Sequence, residues 1–262
     1  MIIFSNVIAI FRKELQSYFA SPLAYIVAAV FWFLLGSLFV DILLGTIEGI
    51  ATYERMGISL PPLDVPYEFT RDFFAVLGLL ILYILPILSM GLYAEERKRG
   101  TLELLATSPL TNWSVAMGKL LGAIAFFSIA ILPMFLYEAI VFAAATPPVP
   151  IQVPLLAHLG LILLAAAVLS LGMFISSLTD SSILAAILTF ALVLFLWIMD
   201  LLADGINGPM GEILSHLSLL KHYNNLVQGI LDTSSIVLFA SYIFLGLFLT
   251  AQSMETLRFS SR

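Results

Sequence analysis

Ala94-Glu95-Glu96-Arg97-Lys98-Arg99-Gly100-Thr101-Leu102-Glu103-Leu104-Leu105-Ala106-Thr107-Ser108-Pro109 is the stretch whose reading decides the fold. Its sixteen residues hold three consecutive bases, three carboxylates and a Gly-Thr step, in a chain that is 61% hydrophobic and only 11% charged. Soluble domains carry about 25% charged residues, and the mean hydropathy here is +1.08. The chain therefore reads as an integral membrane protein, and so polar an island belongs in water between two membrane spans.

Outward from that island, apolar runs cover about 73–93, with Pro86 inside, and about 114–142, with Pro133 inside. Further runs cover about 23–44, 153–178, 183–202 and 236–255. At a rise of about 1.5 Å per residue, each can cross about 30 Å of hydrocarbon. The expectation is an all-α membrane protein with six transmembrane helices, formed as a single domain over residues 1–262 with no internal repeat. Prolines are tolerated in spans where neighbouring helices satisfy the freed carbonyls, so Pro86 and Pro133 read as structural bends. The first apolar run follows Ser21-Pro22 and is too long for a signal-peptide core, so that span is expected to be retained.

Residues 2–19 predict a separate amphipathic helix. Phe4, Val7, Ile8, Phe11, Leu15, Tyr18 and Phe19 recur at helical spacing, with Ser5, Asn6, Ala9, Arg12, Lys13 and Gln16 opposite. Such a helix lies in the headgroup plane with its bases toward anionic lipid, or packs against a soluble partner, and the two are compatible. With the amino terminus inside, Arg12, Lys13, Arg97, Lys98, Arg99, Lys119, Arg258 and Arg262 fall on the inner side and only Arg55, Arg71 and Lys221 outside. That asymmetry places both termini in the cytoplasm of a multi-pass inner (plasma) membrane protein. The first outer loop, with Pro61-Pro62 and Pro66, reads as irregular. Residues 203–235 keep a helical spacing through Ile213, Leu214, Leu217, Leu220, Tyr223, Leu226, Val227 and Ile230, which predicts an outer-face helical segment before the last span.

Little in the chain suggests catalysis. There is no phosphate-binding loop of the G-x-x-x-x-G-K-[ST] type, because Gly118-Lys119 continues into Leu120. His158, His216 and His222 are scattered without metal-ligand spacing, and there is no cysteine. A net charge of -6 argues against a nucleic-acid partner. Asn112-Trp113-Ser114 matches a glycosylation acceptor but falls on the inner side. Asp41, Glu138 and Asp200 read as solvated carboxylates near the outer headgroups, on a straight-helix count along each span. Gly118 and Gly122 form a G-x-x-x-G pair, read as packing within the chain.

The island itself divides into physical parts. Glu95 and Glu96 close the second span, and Arg97 to Arg99 suit a helix carboxyl end. Gly100 permits a turn that a side chain would oppose. Thr101 is then placed to cap a short helix with Glu103 in its first turn, stopped by Ser108-Pro109. By itself this pattern also suits a solvated turn that only obeys positive-inside statistics.

Tyr93 to Leu110, followed by Trp113 and Gly118-Lys119, resembles the first cytoplasmic loop of ABC-2 type transporter permeases. The likeness runs over nearly the whole chain, from Lys13-Glu14 to His222-Tyr223 and Gly229. It is nearest to the permease subunit of gliding-motility-type ABC transporters, with nitrous-oxide-reductase maturation permeases as relatives. The resemblance implies a cytoplasmic coupling helix in the loop, gripped together with the amino-terminal helix by a separate ABC ATPase subunit. It further implies two permease subunits, as a homodimer or a heterodimer, moved by ATP-driven closure of two ATPases. ATP and Mg would be bound by the ATPase, leaving this chain without cofactor or catalytic role. The implied ATPase contacts are Glu95, Glu96, Arg97, Arg99, Gly100, Thr101, Glu103 and Thr107, with Phe4, Phe11, Arg12, Lys13 and Glu14 on the amphipathic helix. Export across the membrane is the function expected. The alternative is mechanical transmission to an envelope partner through residues 47–72 and 206–233, with no solute moved.

Overall fold

The computed structural model describes residues 2–57, 65–102, 110–143, 150–206 and 208–260. Among them the chain forms the helices α1 (Ile2–Ala20), α2 (Pro22–Arg55), α3 (Val65–Ser89), α4 (Gly91–Lys98), α5 (Asn112–Ala130), α6 (Met134–Ala143), α7 (Gln152–Leu178), α8 (Ser182–Gly205), α9 (Pro209–Leu217), α10 (Leu219–Val227) and α11 (Thr233–Ser260). Six stretches are long and apolar enough to cross a membrane: α2, α3 with α4, α5 with α6, α7, the first part of α8, and most of α11. The all-α, six-span expectation therefore holds.

Local chemistry sets the helix ends. Ser21 is extended and Pro22 opens α2, where a missing N–H costs nothing. Thr111 caps α5, its Oγ1 accepting from the Ser114 N–H at 3.2 Å. Pro133 separates α5 from α6, whereas Pro86 stays inside α3 and the break comes later, at Met90. In the first outer loop, α2 runs on to Arg55 and α3 begins at Val65. The first outer loop, expected to be irregular, is thus helical up to Arg55 and again from Val65, with a turn at Met56 and Gly57 and residues 58–64 outside the described ones. Pro66 lies in the first turn of α3, a position that prolines favour, so it starts a helix instead of breaking one.

The long helix α7 is the axis of the bundle. Its small residues Ala165, Ala166, Ala167, Ser170 and Gly172 are buried, which lets neighbouring backbones come close. Gly246 of α11 meets Ser170, and Gly172 meets Ser89 of α3 and Thr189 of α8. The G-x-x-x-G pair works within the chain, as expected. Val7 and Ile10 of α1 close on Gly118, Phe11 and Glu14 close on Gly122, and Tyr18 stacks on Phe126 at 4.8 Å. The order of these contacts shows α1 and α5 running in the same direction. Among the described side chains of α1, Ile10 and Glu14 are buried, while Phe4, Arg12 and Lys13 stay exposed and Phe11 is half-buried.

The segment before the last span is two helices instead of one. Ser218 ends α9 and caps α10, accepting from the Lys221 N–H at 3.0 Å. Leu219, Leu220, Tyr223, Leu226 and Val227 bury α10 in the bundle. The Tyr223 hydroxyl donates to the Phe74 carbonyl at 2.6 Å, and its ring fills the space over Gly78. Gly229, at φ +80, closes α10.

Two of the three carboxylates read as headgroup groups can be placed. Asp41 is exposed, but Glu138 is buried at 5% exposure beside His158. The straight-helix count from Trp113 fails there because α5 and α6 are separate helices, and because Phe74, Phe135 and His158 surround that level. The side chain of Asp200 lies outside the described ones.

His222 ties α10 to α11. Its Nδ1 lies 2.9 Å from Ser235 Oγ and its Nε2 3.3 Å from the His216 carbonyl. Burial disfavours the imidazolium and outweighs the bond to the His216 carbonyl and the field of Asp232, so the pKa is lowered from 6.5. A histidine held neutral contributes stability above its unfolded pKa, and that stability is lost as pH falls through about 6.5. Amide exchange over residues 219–236 is therefore expected to quicken as the pH falls from neutral to mildly acid. His222→Gln, which does not titrate, should flatten that dependence.

Candidate functional site

The break at Met90 turns the last eight residues of the second span, α4, into a separate piece. Ser176 of α7 enters the ladder at this point. Its Oγ donates to the Met90 carbonyl at 2.7 Å and accepts from the Tyr93 and Ala94 N–H groups at 3.1 and 3.0 Å. One hydroxyl thereby uses its donor and both lone pairs. A side chain inserted into the backbone ladder is a recognised cause of a kink.

The far end of α4 is closed by Gly100 at φ +68. Gly100 N–H donates to the Arg97 carbonyl and Thr101 N–H to the Glu96 carbonyl, both at 3.0 Å. This paired bonding is a Schellman motif, which needs a residue in the left-handed region and so favours glycine. The turn expected at Gly100 is thus present. The Thr101 hydroxyl bonds back to the Glu96 carbonyl at 3.2 Å and helps to close α4. The short helix expected beyond it, with Glu103 and Thr107, lies outside the described residues.

Beneath α4 sits a charge cluster. Lys119 of α5 is 2% exposed. Its Nζ lies 2.8 Å from Glu14 Oε1, 3.1 Å from Glu96 Oε1 and 2.7 Å from the Leu92 carbonyl. The ammonium donates hydrogen bonds to Glu14 and to the Leu92 carbonyl, and its contact with Glu96 is an ion pair. The Tyr93 ring lies 4.9 Å from the same Nζ, adding a cation–π contact. Lys13 completes the group, 3.0 Å from Glu96 Oε1 and 3.9 Å from Glu14 Oε1. Burial works against the Lys13 ammonium, but the hydrogen bond to Glu96 and the fields of Glu96 and Glu14 prevail and raise its pKa above the usual lysine value. Two cations and two anions from α1, α4 and α5 leave the cluster neutral.

The predicted contact residues accordingly separate into two sets. Glu95, Arg99, Gly100 and Thr101 face solvent, with Glu95 and Arg99 paired at 3.5 Å across one helical turn. Glu96 turns inward to Lys119 and Lys13, and the Arg97 Nη1 donates to the Ser177 carbonyl at 2.8 Å, at the carboxyl end of α7. On α1, Phe4, Arg12 and Lys13 lie on the open side, Phe11 is half-buried, and Glu14 belongs to the cluster. Sequence reasoning missed Lys119, counting it only as an inner-side base. A signal was present, since an ammonium directly after Gly118 of a close-packing pair needs a carboxylate on the helix that packs there.

This geometry makes a rigid mount. The root of the polar loop is bonded to α1, α5 and α7 at once. Among the described residues no group of three or more His, Asp or Glu is arranged to hold a metal ion. The family model described as "ABC-2 family transporter protein" matches residues 8–259. No curated protein matches the chain.

Proposed function

We propose, since this chain belongs to the ABC-2 family of transporter proteins, that its polar loop and α1 receive an ABC ATPase subunit whose ATP-driven motion is passed to the spans through the mount beneath α4. The chain is a membrane-embedded permease subunit of an ABC transporter. The finer reading is of a non-catalytic exporter subunit of the gliding-motility type, working as a pair of permeases with ATP and Mg held by the ATPases. Both termini and the loop then lie on the cytoplasmic side of the inner membrane, a placement that the distribution of basic residues supports.

The observation that carries this reading is the ion cluster under a solvent-facing surface, with Lys119 and Glu14 buried, Glu96 half-buried and Lys13 at its exposed rim. A loop serving only to join two spans has no need of an ion group that fastens its root to two other helices. Residues facing out, Glu95, Arg99, Gly100 and Thr101, are left to recognise a partner, with Arg12 and Lys13 on α1 beside them.

The test uses the surface and spares the mount. Glu95→Lys combined with Arg99→Glu preserves the local pair with inverted sign. Charge-assisted contacts are worth about 1.5–3 kcal/mol each, so affinity for the ATPase subunit should fall by about tenfold or more. Membrane insertion and thermal stability should be unchanged. Wild-type ATPase binding and stimulation in the reconstituted complex would sink the reading.

A further inference from the structure

At the opposite end of the bundle from the loop, a second buried ionisable group stands apart from the mount. Glu138 of α6 and His158 of α7 each have side chains only 6% exposed, and Glu138 Oε1 lies 3.6 Å from His158 Nδ1. The imidazole is clamped between aromatic rings, with Phe135 stacked at 4.2 Å and Phe74 edge-on at 5.1 Å. His158 Nδ1 is 2.9 Å from the Pro154 carbonyl. A carbonyl only accepts, so Nδ1 carries the hydrogen and Nε2 holds the lone pair. Glu138 Oε1 and His158 Nε2 are both buried without a hydrogen-bond partner.

We propose that this pair is a single-proton site inside the membrane, its ligand a proton held by Glu138, with His158 kept neutral beside it. Three charge states compete. With no proton beyond the Nδ1 hydrogen, a bare carboxylate is buried without a donor. With the proton on His158, the imidazolium Nε2–H faces no acceptor, and Glu138 stands too far from Nδ1 for a hydrogen bond. Only the state with Glu138 protonated buries no charged group, and a buried charge without a hydrogen-bonded partner is the costliest arrangement available.

Among the described residues, the surrounding groups do not supply a counter-charge. From α3 the pair is faced by the Phe74 ring, and the Glu68, Arg71 and Asp72 ion group near the start of that helix is satisfied within itself. From α6 come Phe135 and Tyr137, the latter stacked on Phe39 of α2. From α10, Tyr223 gives its hydroxyl to the Phe74 carbonyl, and His222 is committed to Ser235. If α6 and α7 part, Glu138 loses its O–H proton to water, and recovers it on closing.

Infrared spectroscopy of the full-length protein in lipid nanodiscs tests the site without ATPase or transport. At neutral pH, where surface carboxyls are ionised, the expected result is a protonated-carboxyl C=O stretch that Glu138→Gln abolishes. His158→Phe, which keeps the aromatic stack, should leave that band in place. Absence of any band removed by Glu138→Gln overturns the proposal. So does a band that appears only in His158→Phe, since it would mean that the native pair is ionised. Neither result bears on whether the loop receives an ATPase.

Discussion

Replacing Lys119 by Met is expected to be among the most damaging single changes in this protein, lowering stability by about 3–5 kcal/mol, the usual loss when one partner of a buried ion pair is removed. Methionine matches the lysine stem in length, so the effect isolates the charge. Glu14 and Glu96 would be left with Oε1 atoms that both approach the vacated ammonium position, at 2.8 and 3.1 Å from it. Lys13 still covers Glu96 at 3.0 Å but stands 3.9 Å from Glu14. Glu14 therefore carries most of the penalty, and the Leu92 carbonyl loses its donor as well. Adding Glu14→Gln to Lys119→Met should recover part of the loss, because the double variant buries one fewer unpaired charge. The measured coupling should fall within the 0.5–3 kcal/mol typical of residues in one network. Lys119→Arg should not substitute, since a planar guanidinium cannot reproduce two hydrogen bonds and an ion pair that converge on a point ammonium. Thermal unfolding in detergent reads the stability, and ATPase binding reads the docking surface above. An additive double variant would show that the cluster is not a unit.

That cluster also marks where the sequence stops being legible. Composition and run length disclose six spans, because a bilayer imposes length and apolarity on each span separately. Gly100 is legible for a similar reason: a base-rich helix end followed by Gly-Thr predicts its own closure, and the Schellman bonds follow. Glu96 and Arg97 are different. As neighbours of Glu95 and Arg99 they share one polar run, and only the direction of α4 decides which of the four face out. That direction depends on the break at Met90 and on Ser176, a serine 86 residues away along the chain from Met90. Glu138 fails for the same kind of reason. Counting along a helix gives depth, whereas burial depends on which other helices reach that depth. Ser218 shows the limit at a smaller scale, since one capping serine converts a continuous periodicity into two helices with different burial.

The second large effect is expected at Gly246, and three glycines that admit close neighbours show why. A Cβ at Gly78 would lie 2.2 Å from the Tyr223 ring, one at Gly172 would lie 2.2 Å from the Ser89 hydroxyl, and one at Gly246 would lie 2.5 Å from the Ser170 carbonyl carbon. The first two neighbours are side-chain atoms, which rotate or can be trimmed. The third is backbone, so α11 must move away from α7. Overpacking costs about 1–3 kcal/mol where neighbours can adjust, and Gly246→Ala should reach or exceed the top of that range. Rescue separates the cases: Tyr223→Leu should relieve Gly78→Ala, but Ser170→Gly should not relieve Gly246→Ala, because the backbone contact survives it. The displacement would also reach the mount. Ser177 Oγ is bound to Ser253 Oγ of α11 at 2.9 Å, and Asn112 of α5 to the Ala251 carbonyl at 3.4 Å. Ser177 is the residue whose carbonyl holds Arg97. Gly246→Ala is therefore expected to quicken amide exchange in α4 as well as in α11, although Gly246 touches no part of the loop. Faster exchange confined to α11, or full rescue by Ser170→Gly, would show that the helices adjust locally and that the path from α11 to α4 is broken.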